Sequence, residues 1–318
     1  MIEANGLART FKTRGESVEA VRSIGFNVEA GEIVGFLGPN GAGKTTTLRM
    51  LTTLLEPTAG TARVVGRDLL AEPVEVRRRI GYVAQGGCTE PEARVGEELI
   101  DHGRLYGLEA PEAAARGKRL LADLDLEGVW SRQTKTLSGG QRRRLDIAMG
   151  LIHEPRLIFL DEPTSGLDPQ ARANLWQHVR RLRDDRGATV FLTTHYLEEA
   201  DALCDRVLVI DHGSIAASGS PEELKRRISG DTVELTVGDS AEAAAAGAAL
   251  RLLADAVQVE GATVHLQVPS AVDGLPGLFR RLEAAEIPLL GVEVHRPTLD
   301  DVFLSLTGRA LRDEAEAA

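Results

Sequence analysis

Gly38-Pro39-Asn40-Gly41-Ala42-Gly43-Lys44-Thr45 fits the pattern G-x-x-x-x-G-K-[ST]. Small residues in such a run let successive backbone N–H groups turn inward and form a concave nest for anionic oxygens. A helix starting beside the lysine aims its positive end at the same oxygens. The matching chemistry is that of a nucleoside triphosphate. Lys44 suits the β- and γ-phosphates, and the Thr45 hydroxyl, followed by Thr46, suits Mg2+. A second set follows the apolar run Leu157-Ile158-Phe159-Leu160, which delivers two adjacent acids. Asp161 is expected on the metal side. Glu162 leaves the strand in another direction and suits orienting or deprotonating an attacking water. A capping acid at a strand–helix junction is the plainer alternative, and the phosphate loop outweighs it.

These groups need elements to position them. The chain opens with strand-like segments around hairpin-forming turns. Residues 33–37 read as a buried strand entering the loop, and residues 45–55 as a helix with Leu48, Leu51 and Leu55 on one face. Residues 92–136 read as mostly helical, with Pro111 at a helix start. Residues 157–160, 190–194 and 207–210 are short apolar runs of the kind buried on both faces of a sheet. Asp211-His212-Gly213-Ser214 marks a hairpin. Strands alternating with helices predict an α/β domain with a largely parallel sheet.

The later residues alternate differently. Strands over 232–237, 256–260, 263–268 and 289–295, with helices over 241–253 and 275–285, give the order βαββαβ of a small α+β, ferredoxin-like sandwich. A short amphipathic helix over 299–306 and an acidic, frayed tail over 312–318 complete the chain. Residues 228–318 carry a net charge of −9, against −2 for the preceding 227 residues, which places a boundary near Ser229-Gly230-Asp231. The expected domains are therefore 1–228 and 229–318.

A chain of 318 residues and 34.1 kDa suits one large domain plus a smaller one. Its net charge of −11 is a poor match to a protein that coats nucleic acid, and no nucleic-acid partner is expected. No apolar run approaches the ~20 residues that cross a bilayer. Residues 1–11 lack the apolar core of a secretion signal. Cys88 and Cys204 sit in no metal-ligand spacing and read as unpaired.

The discriminating segment is Leu137-Ser138-Gly139-Gly140-Gln141. With the elements around it, the chain resembles the ATP-binding-cassette (ABC) ATPase family, whose signature is LSGGQ. Small residues at a helix start expose N–H groups and the Ser138 hydroxyl to an anion. The resemblance implies a P-loop NTPase cassette with a helical subdomain at about residues 88–150. It also implies a head-to-tail dimer of two copies, each signature closing on the γ-phosphate of ATP held by the other. Gln85 matches the Q-loop glutamine, expected to touch Mg2+ and to sense a membrane partner. Ser165-Gly166-Leu167-Asp168 matches the D-loop, with Asp168 expected to reach across the dimer. His195 matches the switch histidine, expected at the γ-phosphate. Phe11 matches the aromatic that stacks on adenine, with a place in a small apolar cluster as the alternative. The stretch after Gln85, residues 86–91, is polar and glycine-rich.

Residues 296–308 look like the tail of the daunorubicin-resistance type of exporter ATPase. The resemblance then implies efflux of a hydrophobic drug, antibiotic or lipid through a separate permease, with this subunit on the cytoplasmic face of the membrane. A soluble ABC ATPase, acting as an ATP-gated regulatory or nucleic-acid-associated module, is the alternative. Translation-type members carry two cassettes and DNA-maintenance types split theirs around a coiled coil, whereas each motif occurs once here and no heptad run intervenes. A P-loop kinase or GTPase would not need residues 137–141. Residues 229–318 hold no catalytic set, so a dimer-stabilising or regulatory role is expected, and His265 and His295 read as packing or surface residues.

Overall fold

Two long antiparallel strands, β1 (Ile2–Thr13) and β2 (Glu16–Val28), begin the chain in a computed structural model that describes residues 1–13, 16–227 and 230–308. β3 (Ile33–Leu37) is buried along its whole length and runs through the glycine-rich loop into α1 (Lys44–Leu51). β4 (Ala59–Val64) and β5 (Arg67–Asp68) return beside β1, and α2 (Pro73–Arg77) leads to β6 (Ile80–Val83). A helical stretch follows: α3 (Val95–Leu105), α4 (Ala110–Asp123) with Pro111 in its first turn, a 3-10 turn (Thr134–Thr136) and α5 (Gly139–Leu151). Then come β7 (Leu157–Asp161), α6 (Pro169–Arg186), β8 (Thr189–Thr194), α7 (Leu197–Leu203), β9 (Arg206–Asp211) and β10 (Ser214–Gly219).

The central sheet has the order β10-β9-β3-β8-β7-β6. All its pairs are parallel except the β9–β10 hairpin. That hairpin turns through His212 (φ 45°) and Gly213 (φ 77°), the paired positive angles of a two-residue turn. The second sheet, β2-β1-β4-β5, is antiparallel. Its Ile2, Leu7, Val21 and Ile24 share one apolar core with Val34, Phe36, Leu48, Phe159 and Phe191 of the parallel sheet and α1. Phe36 and Phe159 lie 5.6 and 5.7 Å from Phe191, ring centre to ring centre, so β3, β7 and β8 are packed as one block. In-register pairing sets Leu37 beside Thr194 and Asp161 beside Thr193, bringing three strand ends to one edge.

α1 stops at Leu51, short of the expected Leu55. The Thr52 hydroxyl donates back to the Leu48 carbonyl (2.9 Å), and Thr53 turns to φ 63°, so Leu55 lies beyond the helix.

The loop ahead of α1 depends on glycine at two points. Gly43 holds φ 105°, a region closed to most residues. A Cβ on Gly38 would sit 2.2 Å from the Ile210 carbonyl oxygen. Gly38→Ala is therefore expected to cost about 1–3 kcal/mol. Thermal melting is the check, and an unchanged Tm would mean that β9 yields freely.

The chain divides into two compact units, Met1–Ser220 and a second beginning at Pro221. The second unit contains α8 (Pro221–Arg226), β11 (Asp231–Thr236), α9 (Ser240–Leu250), β12 (Ala256–Glu260), β13 (Thr263–Val268), α10 (Ala271–Ala284), β14 (Gly291–His295) and α11 (Leu299–Thr307). Its antiparallel sheet, β12-β13-β11-β14, is the ferredoxin-like order, and one face packs Val233, Leu235, Val264 and Leu266 against α9 and α10. α10 begins four residues before the expected 275, because the Ser270 hydroxyl accepts from the Asp273 N–H (3.4 Å) and starts the helix ahead of Pro276. The tail expected over 312–318 lies outside the described residues.

Candidate nucleotide-binding and hydrolysis site

The β3–α1 loop follows the C-terminal end of a central strand, where open α/β sheets place their ligand crevices. Gly38, Pro39, Ala42 and Gly43 are buried, Asn40 and Gly41 are exposed, and Thr45 and Thr46 are half-buried. The first N–H groups of α1 have no acceptor within the helix and remain for an anion. Lys44 is 4% exposed. Its ammonium donates to the carbonyls of Gly38 (2.7 Å) and Pro39 (3.0 Å) and lies 3.4 Å from Glu162 Oε1. Burial pulls its pKa below the ordinary lysine value, against the opposing charges of Glu162 and Asp161.

The two adjacent acids separate as expected. Asp161 Oδ1 accepts from the Thr45 hydroxyl (3.1 Å) and from the Thr193 hydroxyl (2.7 Å). Glu162 faces a different group of side chains. Gln85 Nε2 donates to its Oε2 (2.9 Å), and His195 Nδ1 lies 3.3 Å from the same oxygen. Glu162 holds φ 43°, and its N–H donates to the Thr193 hydroxyl (3.0 Å) and carbonyl (3.2 Å). Burial pushes its carboxyl upward, but the His195 imidazole and the Lys44 ammonium together pull it below the usual glutamate value. It is thus a carboxylate held ionised while only 8% exposed.

Three sequence-predicted residues from separate segments, Lys44, Gln85 and His195, therefore meet at the carboxylate of a fourth, Glu162, beside the Thr45–Asp161 pair. That pair offers hard oxygen donors, which suit Mg2+. Gln85 is engaged with Glu162 and makes no hydrogen bond to Thr45 or Asp161. Phe11 lies on β1, 37% exposed, with the Arg9 guanidinium 4.8 Å from its ring centre, so it stands outside the apolar core.

The residues of the signature segment sit elsewhere. Leu137 is buried and anchors the turn. Ser138 caps α5, its hydroxyl accepting from the Gln141 N–H (3.2 Å) while Gln141 Oε1 accepts from the Ser138 N–H (3.1 Å). Ser138 and Gly139 are exposed, and Gly140 and Gln141 half-buried. Asp168 caps α6 one-way, its Oδ1 accepting from the Ala171 N–H (2.9 Å), and Gly140 packs against Ala171. Two helix starts thus lie side by side at the surface. Among the described residues, no hydrogen bond or ion pair joins them to residues 38–46.

Two residues that the sequence reading passed over complete the site. Thr193 touches both acids, but it ends an apolar strand and reads as part of it. Arg143, within the run Arg142-Arg143-Arg144, reads as a solvated charge, yet it is 7% exposed. Its guanidinium donates to the carbonyls of Ala84 (2.5 Å), Asp161 (2.9 Å) and Pro163 (2.9 Å). One cation on the helix that starts at the signature therefore holds the end of β7 and the segment leading to Gln85. That segment is also tied to α5 by the Cys88 N–H, which donates to Asp146 Oδ1 (3.2 Å). Cys88 and Cys204 are free.

Comparison with known proteins identifies the family. Residues 21–165 match the ABC transporter family, and residues 219–307 match the C-terminal domain described as ATP-binding protein DrrA1-3-like. The daunorubicin resistance ATP-binding protein DrrA3 of Streptomyces coeruleorubidus is 43% identical, over 91% of this chain and 92% of its own. The daunorubicin/doxorubicin resistance ATP-binding protein DrrA of Streptomyces peucetius is 41% identical, over 99% and 94%. The Nod factor export ATP-binding protein I of Ralstonia nicotianae is also 41% identical, over 92% and 90%. Among solved structures, the dimeric post-hydrolysis state of the ATP-binding cassette MJ0796 bound to ADP and Pi matches with a TM-score of 0.64 at 26% identity, covering 69% of this chain and 98% of that one. Those matches span both units: the chain belongs to the ABC transporter ATP-binding family and is an ATPase.

Proposed function

We propose that this chain powers efflux of a hydrophobic drug, antibiotic or lipid, two copies working on a separate permease at the cytoplasmic face of a membrane. The observation that carries the reading is the 41–43% identity, across 91–99% of the chain, to proteins named for daunorubicin and doxorubicin resistance. No helix among the described residues is long and apolar enough to cross a membrane, so the translocation path is assigned to a partner. Choice of cargo goes with that path, since a relative of equal identity is named for Nod factor export.

In this reading residues 38–46 cradle the triphosphate, Lys44 bridges its β- and γ-phosphates, and Phe11 stacks on adenine. Thr45, Asp161 and Gln85 would hold Mg2+, which when bound neutralises phosphate charge. Glu162 takes a proton from the attacking water as the bond between the β-phosphate oxygen and the γ-phosphorus breaks, giving ADP and inorganic phosphate. His195 contacts the γ-phosphate. Ser138, Gly139, Gly140 and Gln141 of a second copy close over the same group, and Asp168 reaches across. ATP then favours the closed pair and ADP releases it, a shift in population set by differential affinity. The C-terminal domain, residues 229–318 by the charge boundary and part of the unit that begins at Pro221, stabilises or regulates that pair.

The experiment is ATPase activity of the purified permease complex with and without a hydrophobic drug. Stimulation supports the reading, and an unstimulated rate in an active complex sinks the cargo class. Gly139→Asp tests the shared site. A carboxylate in the first turn of α5 favours the helix by about 0.3–1 kcal/mol, so folding is expected to hold. The same charge opposes a triphosphate, so turnover is expected to fall by roughly 10²-fold while ATP binding to the single subunit is kept. Native turnover in this variant would place the γ-phosphate away from the signature.

A further inference from the structure

On the outer face of the second unit's sheet, the register sets Gln258, His265, Glu234 and Glu293 in one row across β12, β13, β11 and β14. His295 stands two residues beyond Glu293 on β14, on the same face. Glu234 and Glu293 are directly opposite, and like charges so placed destabilise a sheet. Among the described residues, neither acid pairs with a lysine or arginine. Their partners are imidazoles: His295 Nε2 lies 3.6 Å from Glu234 Oε1 and 3.7 Å from Glu293 Oε2, and His265 Nδ1 lies 3.2 Å from Glu234 Oε1. One ligand atom from each of Glu234, Glu293 and His295 falls within 4.8 Å of the other two.

We propose that this face binds a divalent transition-metal ion of the Zn2+ class through Glu234, Glu293 and His295. A tetrahedral ion bound at about 2.1 Å sets its ligand atoms roughly 3.4 Å apart. The two imidazole–carboxylate spacings, 3.6 and 3.7 Å, are close to that, and the two acids offer oxygens within 4.8 Å of each other. One nitrogen with two carboxylate oxygens is a borderline donor set that suits Zn2+, whereas Mg2+ takes oxygen ligands almost alone. The ion answers the opposition of the two acids, and a fourth position stays open to water or to another molecule. His265 touches Glu234 and is a positioning residue, holding the carboxylate toward the ion. The face is cross-strand and polar, and its ligands are from one-third to three-quarters exposed, so an ion enters without unfolding the unit.

The test is titration of the metal-stripped full-length protein with Zn2+ by calorimetry, without nucleotide, alongside Glu234→Gln and His295→Ala. Circular dichroism confirms that each variant folds, as expected for changes on a solvent-facing sheet surface. Wild type is expected to bind one more Zn2+ per chain than either variant, or the same ion at least ~10-fold more tightly. Zn2+ is expected to raise the Tm of wild type and leave that of the variants unmoved. His265→Gln is expected to keep the stoichiometry with affinity reduced by about 10-fold. Equal Zn2+ binding by wild type and both variants, or none by wild type, overturns the proposal.

Discussion

Glu162→Gln is expected to keep ATP binding and to lose turnover by roughly 10²–10⁴-fold. The amide has the shape of the carboxylate, so the contact with Gln85 can persist, but it cannot accept a proton at neutral pH. Glu162 is also the residue at which Lys44, Gln85 and His195 converge, and it is kept ionised there against its burial. Binding energy of the triphosphate is then no longer discharged by hydrolysis, and the two-subunit form accumulates. Sedimentation with saturating Mg-ATP and the permease is expected to show that pair for the variant. A variant that hydrolyses ATP at the native rate would move the base to another group.

Lys44→Ala is expected to weaken ATP binding by roughly 10–100-fold, the loss of charge-assisted hydrogen bonds worth about 1.5–3 kcal/mol. The side chain is buried, so its truncation also leaves the Gly38 and Pro39 carbonyls without their donor. Equilibrium nucleotide titration is the check, and unchanged affinity would count against the phosphate cradle. A second effect follows at Glu162. Burial raises its pKa, while His195 and Lys44 lower it and prevail. Without the ammonium the pKa rises. A carboxylate base loses activity as pH falls through its pKa, so the acid limb of residual hydrolysis is expected at higher pH than in the parent protein.

The parts of the site that were legible in the sequence are those whose chemistry is local. The loop from Gly38 to Thr45 announces itself because glycine spacing, lysine and hydroxyl must be contiguous to wrap an anion. Asp161 and Glu162 stand out because an apolar strand ends on them. The order βαββαβ followed from alternation within each short segment. What stayed hidden depends on partners distant in sequence. Arg143 resembles its neighbours Arg142 and Arg144, and only the fold brings three carbonyls to it. Thr193 becomes a hub through the register of β7 with β8. His265 and His295 lie thirty residues apart, and it takes β11 between their strands to set both beside Glu234. The end of α1 departs from the leucine spacing for a smaller reason: the spacing continues to Leu55, but a threonine hydroxyl competes for the Leu48 carbonyl.

The Arg143 clamp bears on how motion spreads through the ATPase unit. Its charge is met by backbone dipoles, with the nearest acid oxygen, of Asp146, 4.0 Å away. Dry dipolar contacts of this kind are little weakened by salt. Each N–H left without its carbonyl would cost about 1–3 kcal/mol. The three attachment points consequently share one fate. A slip of about an ångström by any one of them breaks its hydrogen bond to the guanidinium. The segment before Gln85 and the end of β7 are thus both tethered to the signature helix through a single guanidinium.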